Sequence, residues 1–217
     1  MTASKQKEVF LSSEGDAWFD RNHQAIQSRE FGIDDPIIAA IQRCRPGGFH
    51  DTPQLLEVGC GEGKRLQWIN QNLGIKCHGI EPSGKAVTLA QEMGLQVIQG
   101  TADALPYGDG TFDFLVFGFC LYLCDRDDLF RIAHEANRVL KPDAWLIIHD
   151  FYAKTPMKRA YHHLTGLYSF KMDYRTLFDW HPHYTCFYHQ VSHHGSNELT
   201  DDPDEWVATS VLRKVAL

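Results

Sequence analysis

The most constraining stretch of the chain is residues 55–63, Leu-Leu-Glu-Val-Gly-Cys-Gly-Glu-Gly, where apolar residues run into glycines at every second position. The apolar start is typical of a buried strand, and residues 62–73 show helical periodicity with Gly74 as a C-cap. Glycine lets the backbone approach a ligand closely, and a helix N-terminus presents unpaired N–H groups. The stretch therefore predicts a strand–turn–helix crevice of nucleotide size.

The glycine spacing separates two kinds of nucleotide site. A dinucleotide-binding turn has the pattern G-x-G-x-x-G. Here Gly59 and Gly61 are followed by Gly63, one residue early, and Lys64 takes the sixth position. Glu57, two residues before the first glycine, is predicted to point its carboxylate into the crevice. A carboxylate there suits an ammonium group better than a pyrophosphate.

Alternating strand and helix patterns continue through the chain and predict a parallel, doubly wound sheet. Strands are predicted at residues 76–80, 95–98, 112–117 and 144–148, with helices at 83–93 and 127–140. Two further strands are predicted at 184–194 and 207–215. We therefore expect seven strands, mostly parallel with an antiparallel last strand, and helices on both faces.

The N-terminal part is predicted to be helical after a loose lead at residues 1–12. Residues 16–27 form one predicted helix, and Asp35 and Pro36 have the residue types of an N-cap and a first helical position. That second helix is expected to end before Pro46. We expect a single domain with four parts: an N-terminal cap at 1–50, a cofactor-binding core at 51–150, a substrate-side insertion at 151–183 and C-terminal strands at 184–217.

Composition and charge argue against several classes of function. The net charge of −7 is unlike that of a general nucleic-acid-binding protein. No apolar run reaches the roughly 18 residues of a membrane span, and the N-terminus lacks the apolar core of a signal peptide. The six cysteines have no C-x-x-C pairs. We therefore expect reduced thiols and a cytoplasmic protein.

Several motifs together resemble a known enzyme family. Residues 57–63 are similar to motif I, E/D-x-G-x-G-x-G, of the class I S-adenosylmethionine (SAM) methyltransferases, in particular the type 11/25-like domains. Residues 112–119 resemble the fourth strand of that family, and R-V-L-K-P at 138–142 matches its R-V-L-K-P-G-G, with Asp143 and Ala144 in place of the glycines. The resemblance covers about residues 50–150. It implies a Rossmann-like fold, SAM as cofactor and S-adenosylhomocysteine as product.

The resemblance also implies which residues hold the cofactor: Glu57, Gly59, Cys60, Gly61, Gly63, Glu81, Pro82, Thr101, Ala102, Asp103, Gly118 and Phe119. Glu81 would accept both ribose hydroxyls, or alternatively place charge at a helix N-terminus. Thr101 stands where relatives have the aspartate that binds the adenine amino group, so Asp103 is the substitute, with a solvated turn as the alternative. By analogy, Trp18 and Arg21 would cover the cofactor, although ordinary helix packing explains them equally well.

Methyl transfer requires a nucleophile about 3 Å from the methyl carbon and in line with the C–S bond. A hydroxyl or ammonium nucleophile must also lose a proton. His149, at the end of the fifth predicted strand, is the candidate base, with a structural histidine as the alternative. Tyr122 is a candidate for walling the pocket or binding the acceptor, with packing as the alternative.

The segment 151–178 carries five basic residues and only Asp173 as an acid. It is predicted to cover the site and to select a small anionic acceptor through Lys171 and Arg175, with a solvated helix face as the alternative. Several histidines follow one another here and further on, but no H-E-x-x-H or Cys/His ligand set accompanies them, so no metal is predicted. They are His162, His163, His181, His183, His189, His193 and His194.

The predicted function is methylation of an oxygen or nitrogen of a small metabolite, without nucleic-acid or membrane partners. Three alternatives remain: a SAM-binding protein without catalysis, a nicotinamide oxidoreductase, and a protein or RNA methyltransferase. Lys64 argues against the oxidoreductase and the acidic charge against RNA. The sequence leaves the acceptor and the oligomeric state open.

Overall fold

The computed structural model describes residues 5–44 and 52–216. The N-terminal helices are α1 (Gln6–Val9), a π-helical turn (Phe10–Glu14), α2 (Gly15–Ser28) and α3 (Pro36–Cys44). The central elements are β1 (Gln54–Val58), α4 (Lys64–Leu73), β2 (Lys76–Glu81), α5 (Gly84–Glu92), β3 (Gln96–Gln99), β4 (Phe112–Gly118), α6 (Leu129–Val139) and β5 (Leu140–Phe151). The last part holds β6 (Met157–Ala160), β7 (Tyr168–Lys171), α7 (Thr176–Asp179), β8 (Tyr184–His193) and β9 (Trp206–Lys214).

Seven strands form one sheet in the order β3-β2-β1-β4-β5-β9-β8. The strands from β1 to β5 pair in parallel, whereas β9 runs antiparallel to both of its neighbours, β5 and β8. The predicted fold class is thus confirmed, with the last strand of the chain lying one place in from the edge. Strand order reverses between β1 and β4, which places a ligand crevice at the carboxyl ends of these strands.

Strand β4 shows why the sheet is covered on both faces. Phe114 and Val116 pack into the core that α3, α4 and α5 cover, whereas Leu115 and Phe117 pack into the core on the α6 and α7 face. All four side chains are buried. An almost continuous apolar strand has no face left for solvent, so helices must cover both sides.

The loose lead predicted for residues 1–12 is wrong for the part that the structure describes, because residues 6–12 are helical. Polar contacts to distant residues hold this helix. The Gln6 amide donates to the Tyr168 carbonyl at 2.8 Å and accepts from the Tyr168 N–H at 2.9 Å. The Asp125 carboxylate accepts from the N–H groups of Gln6 and Lys7, both at 3.1 Å. Because these contacts are polar and reach distant residues, they do not require the hydrophobic periodicity by which a helix is predicted from sequence.

The structure also differs from the prediction in the boundaries of some elements and in residues 151–183. Helix α4 begins at Lys64 rather than at residue 62, and β5 is longer than the predicted 144–148. The segment predicted as an insertion forms a two-stranded antiparallel sheet, β6 with β7, followed by the short helix α7. The predicted stop at Pro46 lies outside the described residues. Among the helices in the described ranges, none combines the length and apolar character needed to cross a bilayer.

A buried network of charges ties three elements together. Asp35 caps α3 by accepting from the N–H groups of Ile37 and Ile38 at 3.0 and 3.1 Å, which confirms the predicted N-cap. The same carboxylate lies 3.2 Å from the Arg65 guanidinium, which also donates to Glu57 on β1. Arg65 is 9% exposed and Glu57 1%. Burial raises the pKa of Asp35, but Arg65, the Ile38 N–H bond and Arg29 together outweigh it, so the net pKa is lowered.

Replacement of Arg65 should therefore destabilise the fold strongly. Arg65→Met leaves the buried Glu57 carboxylate without its cation and Asp35 with Arg29 alone, and breaking a buried pair costs about 3–5 kcal/mol. Urea unfolding at neutral pH measures this loss. The control is Lys141→Met, which removes a half-exposed pair with Asp113 at 2.8 Å and should cost less than about 1 kcal/mol. Equal losses in the two variants would contradict the prediction.

Candidate active site

A cavity of about 230 Å³ opens at the carboxyl ends of the central strands. The glycine turn after β1, the ends of β2 and β4, and the loop after β3 form its base and sides. Residues from α1, the π-helical turn and α2 complete the wall. The cavity therefore lies where the strand order reverses, as expected for a ligand site in a doubly wound sheet.

The turn after β1 requires glycine for two different reasons. Gly59 has φ of 77°, and a Cβ there would lie 2.6 Å from the Cβ of Cys120. Gly61 has φ of 56° with no atom within 4 Å of an added Cβ, so its backbone borders open space. Both residues line the cavity, together with Cys60 and Gly63. The turn thus exposes its backbone to a ligand.

Glu81 links the end of β2 to the glycine turn. Its carboxylate accepts from the N–H of Gly61 at 2.8 Å and from the N–H of Ser83 at 3.0 Å. Burial raises the pKa of Glu81 to about 7, although these two hydrogen bonds act in the opposite direction. Glu81 and Pro82 both line the cavity. The structure thus places Glu81 beside the turn, where the prediction expected it.

Glu57 lies behind the cavity wall. It is absent from the described lining, and the side chain of Arg65 takes its place there. One Glu57 oxygen accepts from Arg65, and the other has no hydrogen-bond partner among the described residues. A Cβ on Gly118 would lie 2.8 Å from Glu57 Oε1, so the glycine leaves room for this pair. Direct contact of Glu57 with a ligand ammonium stays a prediction.

Asp103 is placed on the cavity wall and already carries partners. The Thr101 hydroxyl donates to its Oδ1 at 2.7 Å, and the Lys7 ammonium donates to its Oδ2. Lys7 also lies 2.8 Å from Asp128 Oδ2. Burial raises the pKa of Asp103, but the Lys7 and Thr101 hydrogen bonds outweigh it and the net pKa is lowered. Sequence reasoning missed Lys7, since nothing near it indicated a site. Ala102 also lines the cavity.

Of the two residues expected to cover the cofactor, only Trp18 lines the cavity in the described structure. The Arg21 guanidinium binds Glu14 and lies 3.1 Å from the Tyr161 hydroxyl, which donates to Glu14 at 2.9 Å. Arg29, which was not predicted, does line the cavity and lies 3.0 Å from the Asp35 carboxylate. In the sequence, Arg29 is a single basic residue after a helix, and nothing near it predicts that it lines a cavity.

The loop after β4 brings aromatic residues to the cavity. Phe119 and Tyr122 both line it. Phe119 has φ of 53°, and its N–H donates to the His149 carbonyl at 2.8 Å. Asp150 holds the loop by accepting from the N–H groups of Cys120 and Leu121 at 3.1 and 2.8 Å. A non-glycine residue with positive φ persists only where its surroundings fix it.

His149 lies behind Phe119 and outside the described cavity lining. Its ring centre is 4.7 Å from that of Phe119, and its Nδ1 is 2.8 Å from the Thr209 hydroxyl. Burial, with a contribution from Arg65, lowers the pKa of His149 to about 3. The imidazole is therefore neutral at pH 7 and a weak base. Its predicted catalytic role stays a prediction.

Lys171 and Arg175 are also absent from the described cavity lining. Lys171 donates to the Asp204 carbonyl and lies 5.0 Å from the centre of the Phe151 ring. Arg175 lies 3.0 Å from Asp173. The structure does not bring these two cations to the predicted cofactor residues. Over the described ranges, no three His, Cys, Asp or Glu side chains converge as metal ligands, and all six thiols are free.

Part of the chain is similar in sequence to known methyltransferases. Residues 56–148 match a family model described as a methyltransferase domain. Norajmaline N-methyltransferase of Rauvolfia serpentina is 34% identical over 120 residues, 48% of this chain and 39% of that protein. Methyltransferase GfsG of Streptomyces halstedii is 34% identical over 106 residues, 45% of this chain and 37% of that protein. The chain thus spans well under half the length of either relative.

A solved structure resembles the whole chain. Burkholderia thailandensis 1,6-didemethyltoxoflavin-N1-methyltransferase, crystallised with 1,6-didemethyltoxoflavin and S-adenosylhomocysteine, aligns with a TM-score of 0.72. The alignment covers 100% of this chain and 92% of that one at 15% identity. A likeness at this identity shows the fold alone.

The raised pKa of Glu81 predicts a pH dependence of stability. A carboxyl whose pKa rises on folding from its ordinary 4.5 to about 7 binds its proton more tightly in the folded state. Its contribution to stability is therefore lost as pH rises through that window, by on the order of 3 kcal/mol. Glu81→Gln should flatten this decline in urea unfolding measured from pH 4.5 to pH 8.

Glu135→Gln is the matched control, because the Arg138 hydrogen bond lowers the pKa of Glu135. Its stabilising contribution is present at neutral pH and is lost in acid, so this variant should lose more stability at pH 7 than at pH 4. An unchanged pH slope in Glu81→Gln would contradict the prediction.

Proposed function

We propose that this chain transfers a methyl group from SAM to an oxygen or nitrogen of a small molecule, because residues 56–148 match a methyltransferase-domain family model and the chain shares the fold of a methyltransferase crystallised with S-adenosylhomocysteine. The observation that carries the proposal is the cavity itself. One open space is bordered by the glycine turn, by the carboxylate of Glu81 and by that of Asp103. These groups suit a nucleoside with a polar extension.

Different groups on the cavity wall would bind different parts of SAM. Glu81 would accept the ribose hydroxyls, because a carboxylate that receives two backbone N–H bonds still has free lone pairs. Asp103 and Thr101 would face the adenine. Arg29, rather than the predicted cofactor-covering residue Arg21, would bind the methionine carboxylate, since Arg29 lines the cavity. Trp18 would cover the bound nucleoside.

When bound, SAM supplies an electrophilic methyl carbon and a leaving group that departs neutral. The residues of the chain then have to position the acceptor and exclude water. Phe119 and Tyr122 would form the wall beyond the sulfur, since both lie at the end of β4, away from β2 and β3. The backbone bonds of Asp150 fix the loop that carries them.

Two alternatives share the fold: a nicotinamide oxidoreductase and a SAM-binding protein without catalysis. Calorimetry with SAM, S-adenosylhomocysteine and NAD tests the first, and we expect heat with the two sulfur compounds and none with NAD. Incubation with SAM and a metabolite extract tests the second, with S-adenosylhomocysteine formation as the expected result. Binding of NAD without SAM binding would overturn the proposed function.

Arg29→Met should weaken S-adenosylhomocysteine binding by about tenfold, the loss of one charge-assisted hydrogen bond. Its affinity for methylthioadenosine, which lacks the amino-acid part, should stay the same. Arg21→Met is the matched control and should leave both affinities unchanged, because Arg21 binds Glu14 outside the cavity lining described here. Calorimetry with both ligands measures this. Equal weakening of both ligands by Arg29→Met would contradict the assignment.

A further inference from the structure

The charged groups of the cavity wall do not suit an anionic acceptor. The described lining holds four basic side chains and five acidic ones, namely Lys7, Arg29, Lys64, Arg65, Glu62, Glu81, Asp103, Asp125 and Asp128. Each basic group lies beside a carboxylate: Lys7 beside Asp103, Arg29 and Arg65 beside Asp35, and Lys64 3.5 Å from Glu62. Over the described lining, every cation thus has a carboxylate partner, and Arg29 is in addition assigned to the methionine carboxylate of the cofactor, so none is left for an anionic acceptor.

The same wall has few groups that can take a proton from an acceptor. Asp125 accepts from the backbone N–H groups of Gln6 and Lys7, and Asp103 from Lys7 and Thr101. Glu81 accepts from two backbone N–H groups. His149 lies behind Phe119 and is bonded to Thr209. The free lone pairs of Glu81 are those assigned to the ribose hydroxyls, so an acceptor that must be deprotonated first, such as an alcohol, has no base assigned to it among these groups.

Two aromatic residues border the cavity at the end of β4, where the wall beyond the sulfur is proposed. They are Phe119 and Tyr122, and both line the cavity. The Tyr122 ring packs edge-on against Phe151 at 5.0 Å, and Phe119 lies 5.3 Å from the same ring, so both are held in place. Aromatic faces attract organic cations, by about 0.5–2 kcal/mol for a well-placed ring.

We propose that the acceptor is an uncharged amine or ring nitrogen, which becomes a cation when methylated beside Phe119 and Tyr122. The nitrogen lone pair forms the new N–C bond while the C–S bond breaks, and its electron pair returns to sulfur to give the neutral thioether. Any N–H proton leaves to water afterwards. The inference rests on the proposed function and replaces the anionic acceptor expected from Lys171 and Arg175.

The test compares three probes of one shape on protein saturated with S-adenosylhomocysteine. They are choline, the alcohol in which a tert-butyl group replaces the trimethylammonium, and tert-butylacetate. Choline should bind about fivefold more tightly than the alcohol and at least tenfold more tightly than the carboxylate. Carboxylate binding equal to or tighter than choline binding, or no binding of any probe, overturns the inference. Absence of S-adenosylhomocysteine binding in the first step overturns the proposed function instead.

Two variants at Tyr122 separate an aromatic contact from a structural role. Tyr122→Leu should weaken choline binding by about fivefold and leave the alcohol unaffected, whereas Tyr122→Phe should retain the preference for choline. A loss of the same size for all three probes in Tyr122→Leu would mean that the ring only supports the loop, and it would overturn the assignment of this residue.

Discussion

The buried guanidinium of Arg65 is the interaction on which the site depends. It joins the N-cap of α3, the end of β1 and the first turn of α4 through Asp35 and Glu57. Gly118 at the end of β4 leaves room for it, since a Cβ there would lie 3.1 Å from the guanidinium. Charges taken out of water must be paired, so this network holds the four elements together where the glycine turn leaves β1.

The second determinant is the N-terminal helix, which forms one wall of the cavity. Polar contacts bring it there: Gln6 binds the backbone of Tyr168, and Glu14 binds Tyr161. Both partners belong to the segment after β5, so residues far along the chain hold the N-terminal helix in place. Contacts of this kind give modest net stability but a specific position. They help to keep the segment that carries Trp18 beside the cavity.

Burial also decides the chemistry that the strand ends can perform. His149 and Asp150 are adjacent at the end of β5, yet burial lowers the pKa of the first to about 3 and raises that of the second to about 7. Neither is on the cavity wall described here, and both hold the loop that carries Phe119. His149, the candidate base in the sequence, thus lies with Asp150 beside the loop that borders the cavity.

The sequence alone determined the sheet, its parallel core and the place of the crevice. Apolar runs, helical periodicity and glycine spacing are local features, and they report local backbone geometry directly. The boundaries of β1 and β4, the cap at Asp35 and the cavity position of Glu81 could all be read in this way. Only the tertiary structure decided that Arg29 replaces Arg21 on the wall and that Lys7 reaches Asp103. Those contacts join residues that are far apart in the chain. The sequence around a residue does not indicate which distant side chain it will contact.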